Sequence, residues 1–215
     1  MKLEVVKKKL AKISPTWVGE KHIPSLIRQL NKTFFKSKLY FTSSRYDDLY
    51  YKEHAVIVSG QYCPRMLDIP ENMLITLSFP KEEKKIKLSK KAAHFLELKI
   101  LRTITHEYRH KHQQKYRGWN FTKQYKAKPN QNKMKAMYYG NPDELDAHAY
   151  ETTVEWDMGK FDINKLRKAN KIGWRECEAI FLYRMHFRKS DPKVWKRFLK
   201  KVYINASIST TNKES

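Results

Sequence analysis

The sequence predicts an α+β fold, and three observations carry that expectation. Short runs rich in β-branched and aromatic residues (KLYFTS, HAVIVSG and MLITLSF) are punctuated by Gly60, Pro64, Pro70 and Pro80, as strands of a small mixed or antiparallel sheet would be. From Ser89 the pattern changes to one long helix. Beyond residue 141 the periodicity is helical almost to the end, so several C-terminal helices are expected to follow the sheet.

Taken in order, residues 1–21 alternate apolar and basic positions around Leu3, Val5 and Val6 and fit either a strand or a surface segment. From Pro24, the spacing of Leu26, Ile27, Leu30, Phe34 and Phe35 predicts an amphipathic helix. The three strand-like runs come next. Ser89 is placed to cap the long helix and Gly118 to stop it, while Ala92, Ala93, Phe95, Leu96, Leu98, Ile100, Leu101 and Ile104 cover most of its first half. A second helix is predicted from Asn141 as cap, through Pro142 in the first turn, to Gly159. Further helices are expected between Asp162 and Gly173, over 174–188, and from the Ser190-Asp191-Pro192 turn onward. A single domain is expected over 1–205, with residues 206–215 as a disordered tail.

The chain has 215 residues, with 45 Lys and Arg against 22 Asp and Glu, a formal net charge of +23. Such an excess needs an acidic partner, of which nucleic acid is the commonest. With 40% hydrophobic and 13% aromatic residues, the chain is no disordered basic tail. Cys63 and Cys177 form neither a disulfide framework nor a CxxC metal pair, so a reducing, cytoplasmic location is expected. No stretch approaches the roughly 18 apolar residues of a membrane span.

On the long helix stands HEYRH, residues 106–110, which satisfies HExxH. Residues four apart lie one turn apart on one helix face, so His106 and His110 can present ring nitrogens to one metal ion. Glu107, rotated about 100° from His106, can reach a metal-bound water and take its proton as general base. A catalytic zinc needs a third protein ligand and one open position. The second helix, in DELDAHAYE, offers Glu144, His148 and Glu151 on one face, with Asp143 and Asp146 turned away. Taken alone, such acids would simply complement the helix dipole.

HExxH followed by a helix carrying Glu144 and Asp146-Ala147-His148 resembles the Glu-ligand branch of the zincin metallopeptidases, whose second helix bears ExxxD or ExEAD. The resemblance covers about residues 70–160, expected to form the metal core, with 161–205 a helical C-terminal part. It implies a zincin-like fold, a Zn2+ cofactor bound by His106, His110 and Glu144, Glu107 as general base, and peptide-bond hydrolysis. His148 stands where that family usually has Asp, and could donate a hydrogen bond, assist the oxyanion or replace Glu144 as ligand. A second resemblance is to the SprT and Spartan type of HExxH protease, which acts on proteins at DNA and would suit the +23 charge. Its third ligand is normally a histidine shortly after the motif; His112 lies on another helix face, so the pattern fits poorly.

Between the two motif helices, Trp119, Phe121, Tyr125, Tyr138 and Tyr139 lie among lysines and arginines in what is expected to be a long loop. It could be a lid with a tyrosine such as Tyr139 donating to an oxyanion, a surface stacking single-stranded bases, or a loop pinned by its own aromatics. Basic clusters at Lys7–Lys9, 81–91 and Lys193–Lys201 fit solvated faces or a polyanion partner. The expected partners are a protein or peptide substrate and, through the basic surface, nucleic acid; the alternative is a non-enzymatic nucleic-acid-binding or virion assembly protein. The small, lysine- and tyrosine-rich, glycine-poor chain fits a virus- or phage-encoded member, at work in host cytoplasm or virion.

Overall fold

The computed structural model describes residues 3–46, 56–64, 71–117, 124–157, 163–174 and 176–211. It is a mixed α+β structure in two compact units, Met1–Tyr108 and Arg109–Ser215. The division falls inside one continuous helix.

In the first unit, residues whose conformation the sequence left open form helix α1, Leu3–Ile13, which buries Val6 and Leu10. A 3-10 turn, Ser14–Trp17, leads into strand β1, Gly19–His22. Helix α2, Ile23–Phe34, has proline in its first turn and buries Ile23, Leu26, Leu30 and Phe34. That spacing makes one apolar stripe, and each side chain fully removed from water contributes about 1.5–3 kcal/mol. Strands β2 (Leu39–Tyr46), β3 (Ile57–Cys63) and β4 (Asn72–Pro80) match the three strand-like runs. They form a mixed sheet in the order β2-β4-β3, with β2 parallel and β3 antiparallel to β4. On central β4, Met73, Ile75, Leu77 and Phe79 are buried and the residues between them are not, the period-two pattern of a half-buried strand.

Strand β5, Lys85–Leu88, is a correction to the reading of residues 81–91 as a basic cluster alone. Ile86 and Leu88 are buried while Lys85 and Lys87 are exposed, and β5 pairs antiparallel with β1. Four residues were too short an alternation to stand out among lysines. At the outer edge of β2, Asn31 of α2 makes two hydrogen bonds with the backbone of Phe41: its amide donates to the carbonyl and its oxygen accepts the N–H, both at 2.8 Å.

Helix α3, Lys90–Arg117, is 28 residues long. Ser89 Oγ accepts the Ala92 N–H at 3.1 Å, the expected cap. Its buried residues run from Ala93 through Ile104 to His106 and Glu107.

In the second unit the expected long loop contains helix α4, Lys133–Gly140, capped by Asn132 through the Lys135 N–H. Helix α5, Pro142–Asp157, begins where Asn141 Oδ1 accepts the Asp143 N–H at 2.8 Å. The segment expected to be helical before Gly173 is a 3-10 helix, Ile163–Lys171, interrupted at Lys168. Helix α6, Glu178–Phe187, and helix α7, Pro192–Thr211, complete the unit. Here α7 continues past residue 206, where the sequence reading placed a tail. The core joins Leu145 and Ala149 of α5 to Ile180, Tyr183 and Phe187 of α6 and Trp195, Phe198 and Val202 of α7. The Tyr183 and Phe198 rings stack with centroids 3.9 Å apart. Gly118, Gly159, Trp119 and Phe121 lie outside the described residues. Among the described residues no helix is long and apolar enough to cross a membrane.

Candidate functional site

His106 and His110 both lie on α3, one turn apart, so the helix sends them to the same face. His106 is buried and His110 partly so. The segment of α3 from Arg109 onward presents three polar side chains at four-residue spacing to the first turns of α5. Arg109 Nε donates to Asp146 Oδ2 at 2.6 Å, Gln113 Nε2 donates to the Asp143 carbonyl at 2.9 Å, and Arg117 Nη2 pairs with Asp143 Oδ1 at 2.5 Å. Lys201 of α7 adds a contact to Asp146 Oδ1 at 2.9 Å. Burial works against the Asp146 charge, but Arg109 and Lys201 outweigh it and hold the carboxyl below its usual range. Asp143 and Asp146, the acids turned away from the ligand face, thus fasten α5 to the end of α3.

This fastening brings His110 Nε2 to 3.4 Å from Glu144 Oε1. Two donors each ~2.0–2.1 Å from a tetrahedral zinc stand roughly 3.3–3.4 Å apart, so the pair is spaced as two ligands of one ion would be. The tautomer also fits. Because Gln113 spends its NH2 on the Asp143 carbonyl, the oxygen is the atom it turns to His110 Nδ1, 2.8 Å away. In the neutral imidazole Nδ1 then carries the proton, and Nε2, on the Glu144 side, keeps the lone pair a metal ion would need. Two imidazoles and a carboxylate are a donor set that suits zinc.

Glu144 and His148, one turn apart on α5, present ligand atoms within 4.8 Å of each other. His148 Nδ1 is 3.3 Å from Glu151 Oε1, and tyrosine rings surround the imidazole: Tyr138 at 5.9 Å, Tyr139 at 5.3 Å and Tyr183 at 5.8 Å between centroids. The two tyrosines of α4 differ. The Tyr138 phenol lies beside Glu144, and burial together with that carboxylate pushes its pKa far up, so it remains a neutral donor. Tyr139 instead stacks on His186 at 5.3 Å, and its carbonyl accepts the buried Tyr183 hydroxyl at 2.8 Å. Burial raises the Tyr139 phenol as well and lowers His186. His112 stacks on Tyr116.

In the first unit, Glu107 lies against edge strand β3. Its Oε2 accepts the Tyr62 N–H at 2.8 Å, which fixes the carboxylate. A Cβ at Gly60 would come within 2.6 Å of Glu107 Cγ and Thr103 Cγ2, so glycine is what lets the strand lie this close.

No protein-family model, no curated protein and no solved structure matches the chain. Gln113 and Gly60 were missed by sequence reasoning, which named Tyr138 only as one of the loop aromatics. Gln113 had a usable signal, its i+3 position after His110; Gly60 had none, since its role depends on which elements meet.

Proposed function

We propose that this chain is a zinc-dependent metallopeptidase of zincin-like fold, with His106, His110 and Glu144 as metal ligands and Glu107 as general base. The single observation that carries the reading is the 3.4 Å pairing of His110 Nε2 with Glu144 Oε1, on a helix that carries His106 one turn earlier. When bound, the ion supplies Lewis acidity and lowers the pKa of a coordinated water. Glu107, held through one oxygen by the Tyr62 N–H, takes the proton of the attacking water and returns it to the leaving amine. Tyr138, kept neutral, is the better placed of the two tyrosines to donate a hydrogen bond beside Glu144, a role the sequence reading gave to Tyr139. His148 stays close enough to Glu144 to orient it or to serve as an alternative ligand. A reducing host cytoplasm or virion is the proposed setting of a phage-encoded member; Cys63 and Cys177, both thiols, fit it.

The test combines metal analysis with hydrolysis of a peptide library. About one zinc per chain, lost in His110→Ala and Glu144→Ala, with hydrolysis lost but zinc retained in Glu107→Gln, is expected. A chain that takes up no zinc, or Glu107→Gln with undiminished hydrolysis, overturns the reading.

A second reading rests on α7, whose Lys193, Lys196, Arg197 and Lys200 are all exposed on the face opposite the core. This is the footprint of a polyanion-binding surface, including that of a SprT-like protease acting at DNA. DNA affinity that falls steeply with salt and is indifferent to zinc would favour a non-enzymatic binding module.

A further inference from the structure

A groove of about 610 Å³ lies between residues 124–131 and helix α4, within the second unit. Its walls are Tyr125, Ala127, Pro129 and Met137, and its charged lining residues are Lys126, Lys128 and Lys133, with no acid among them. The size is that of a ligand pocket.

The groove is built rather than incidental. Tyr125 packs edge-on against Phe187 with centroids 5.8 Å apart, and its hydroxyl donates to Asp191 Oδ2 at 2.9 Å. Gln131 Oε1 accepts the Lys128 N–H at 2.8 Å while its amide donates to Ser190 Oγ at 2.9 Å. A Cβ on Gly140 would stand 2.4 Å from the Tyr125 ring, so glycine is what lets the ring pack there. Residues 124–131 are thereby latched to the α6–α7 turn.

The three lysines are not equivalent. Lys128 Nζ is 3.1 Å from Asp191 Oδ2, which occupies it. Lys126 and Lys133 are exposed and have no ion-pair partner among the described residues. The Tyr125 ring packs edge-on against Phe187 and close on Gly140 while also lining the groove. The apolar part, Ala127, Pro129 and Met137, suits aliphatic chain. Met137 of the groove is followed on α4 by Tyr138, which lies beside Glu144.

We propose that this groove binds an acidic polypeptide segment, with Lys126 and Lys133 pairing its carboxylates and Met137 covering its apolar side chains. As the substrate's own segment, it would make the enzyme selective for acidic peptides, and in that respect the inference rests on the peptidase reading. A chain of net charge +23 gains long-range attraction for such substrates as well.

The test is fluorescence anisotropy on the intact Glu107→Gln chain, which leaves the probe uncut, with zinc content measured in parallel. The probes are a labelled Asp/Glu-rich dodecapeptide, its Asn/Gln counterpart and a single-stranded DNA 12-mer. The acidic peptide is expected to bind at least about tenfold more tightly than its neutral counterpart, and Lys126→Glu/Lys133→Glu to weaken it by about tenfold or more, with circular dichroism and zinc content unchanged. Equal binding of the two peptides, unchanged binding in the double variant, or loss there of DNA binding alone would overturn the proposal. Selective binding by a chain that takes up no zinc would uphold the groove and remove the peptidase reading. Full zinc loading without selectivity would do the reverse.

Discussion

Gln113 orients the ring of His110: its side-chain oxygen stands 2.8 Å from Nδ1, and its amide is committed to the Asp143 carbonyl. Removing that acceptor leaves the imidazole free to change tautomer and rotate. Gln113→Leu is expected to lower zinc affinity by roughly 10–100-fold, as loss of an outer partner of a ligating histidine does. Competition with a chromogenic chelator measures it, and an unchanged unfolding midpoint of the metal-free chain separates the effect from misfolding.

Gly60→Ala places a methyl group where Glu107 and Thr103 already stand. The strand or the Glu107 and Thr103 side chains must shift, at a cost of about 1–3 kcal/mol typical of overpacking. The shift also disturbs the Tyr62 N–H bond that fixes Glu107. Urea denaturation should show the lost stability, and peptide hydrolysis should fall by more than the unfolded fraction explains.

Zinc removal should destabilise the chain. A ligand that binds only the folded state contributes RT ln(1 + [L]/Kd), about 2.7 kcal/mol at a hundredfold excess over Kd. Chelation is expected to lower Tm and zinc re-addition to restore it, with Glu144→Ala insensitive to both. Differential scanning fluorimetry gives the comparison.

Asp191 gives the groove an acid limit. Burial opposes its charge, but the Tyr125 hydroxyl and Lys128 hold the carboxyl below its ordinary range. A depressed folded-state pKa means stability that is complete above the unfolded value of ~3.9 and is lost as pH falls through the lower folded value. The stability difference between wild type and Asp191→Asn should therefore be constant at neutral pH and shrink below about pH 4. Unfolding midpoints across that range check it.

Much of this was readable in advance because the signals were local. The caps at Ser89 and Asn141, the apolar stripe of α2 and the alternation of β4 all depend on residues a few positions apart. The helical spacing of His106 with His110, and of Glu144 with His148, was equally plain. What escaped was decided by long-range packing. Helix α4 has only eight residues and no strong amphipathic pattern, so its lysines and tyrosines read as loop. Which neighbours the α4 tyrosines meet, Glu144 for Tyr138 and His186 for Tyr139, likewise depends on elements brought together by the fold. Strand β5 became a strand only by finding β1, over sixty residues earlier.

The two backbone bonds from Asn31 to Phe41, and the one from Tyr62 to Glu107, fall on opposite margins of the three-stranded sheet. At each margin a side chain takes up main-chain groups that another strand would otherwise use. Both margins are stoppered at these points, so the sheet cannot grow there by recruiting a second copy, a recognised route to aggregation. An extended peptide laid along β3 must likewise end short of Tyr62 or displace Glu107 from its anchor.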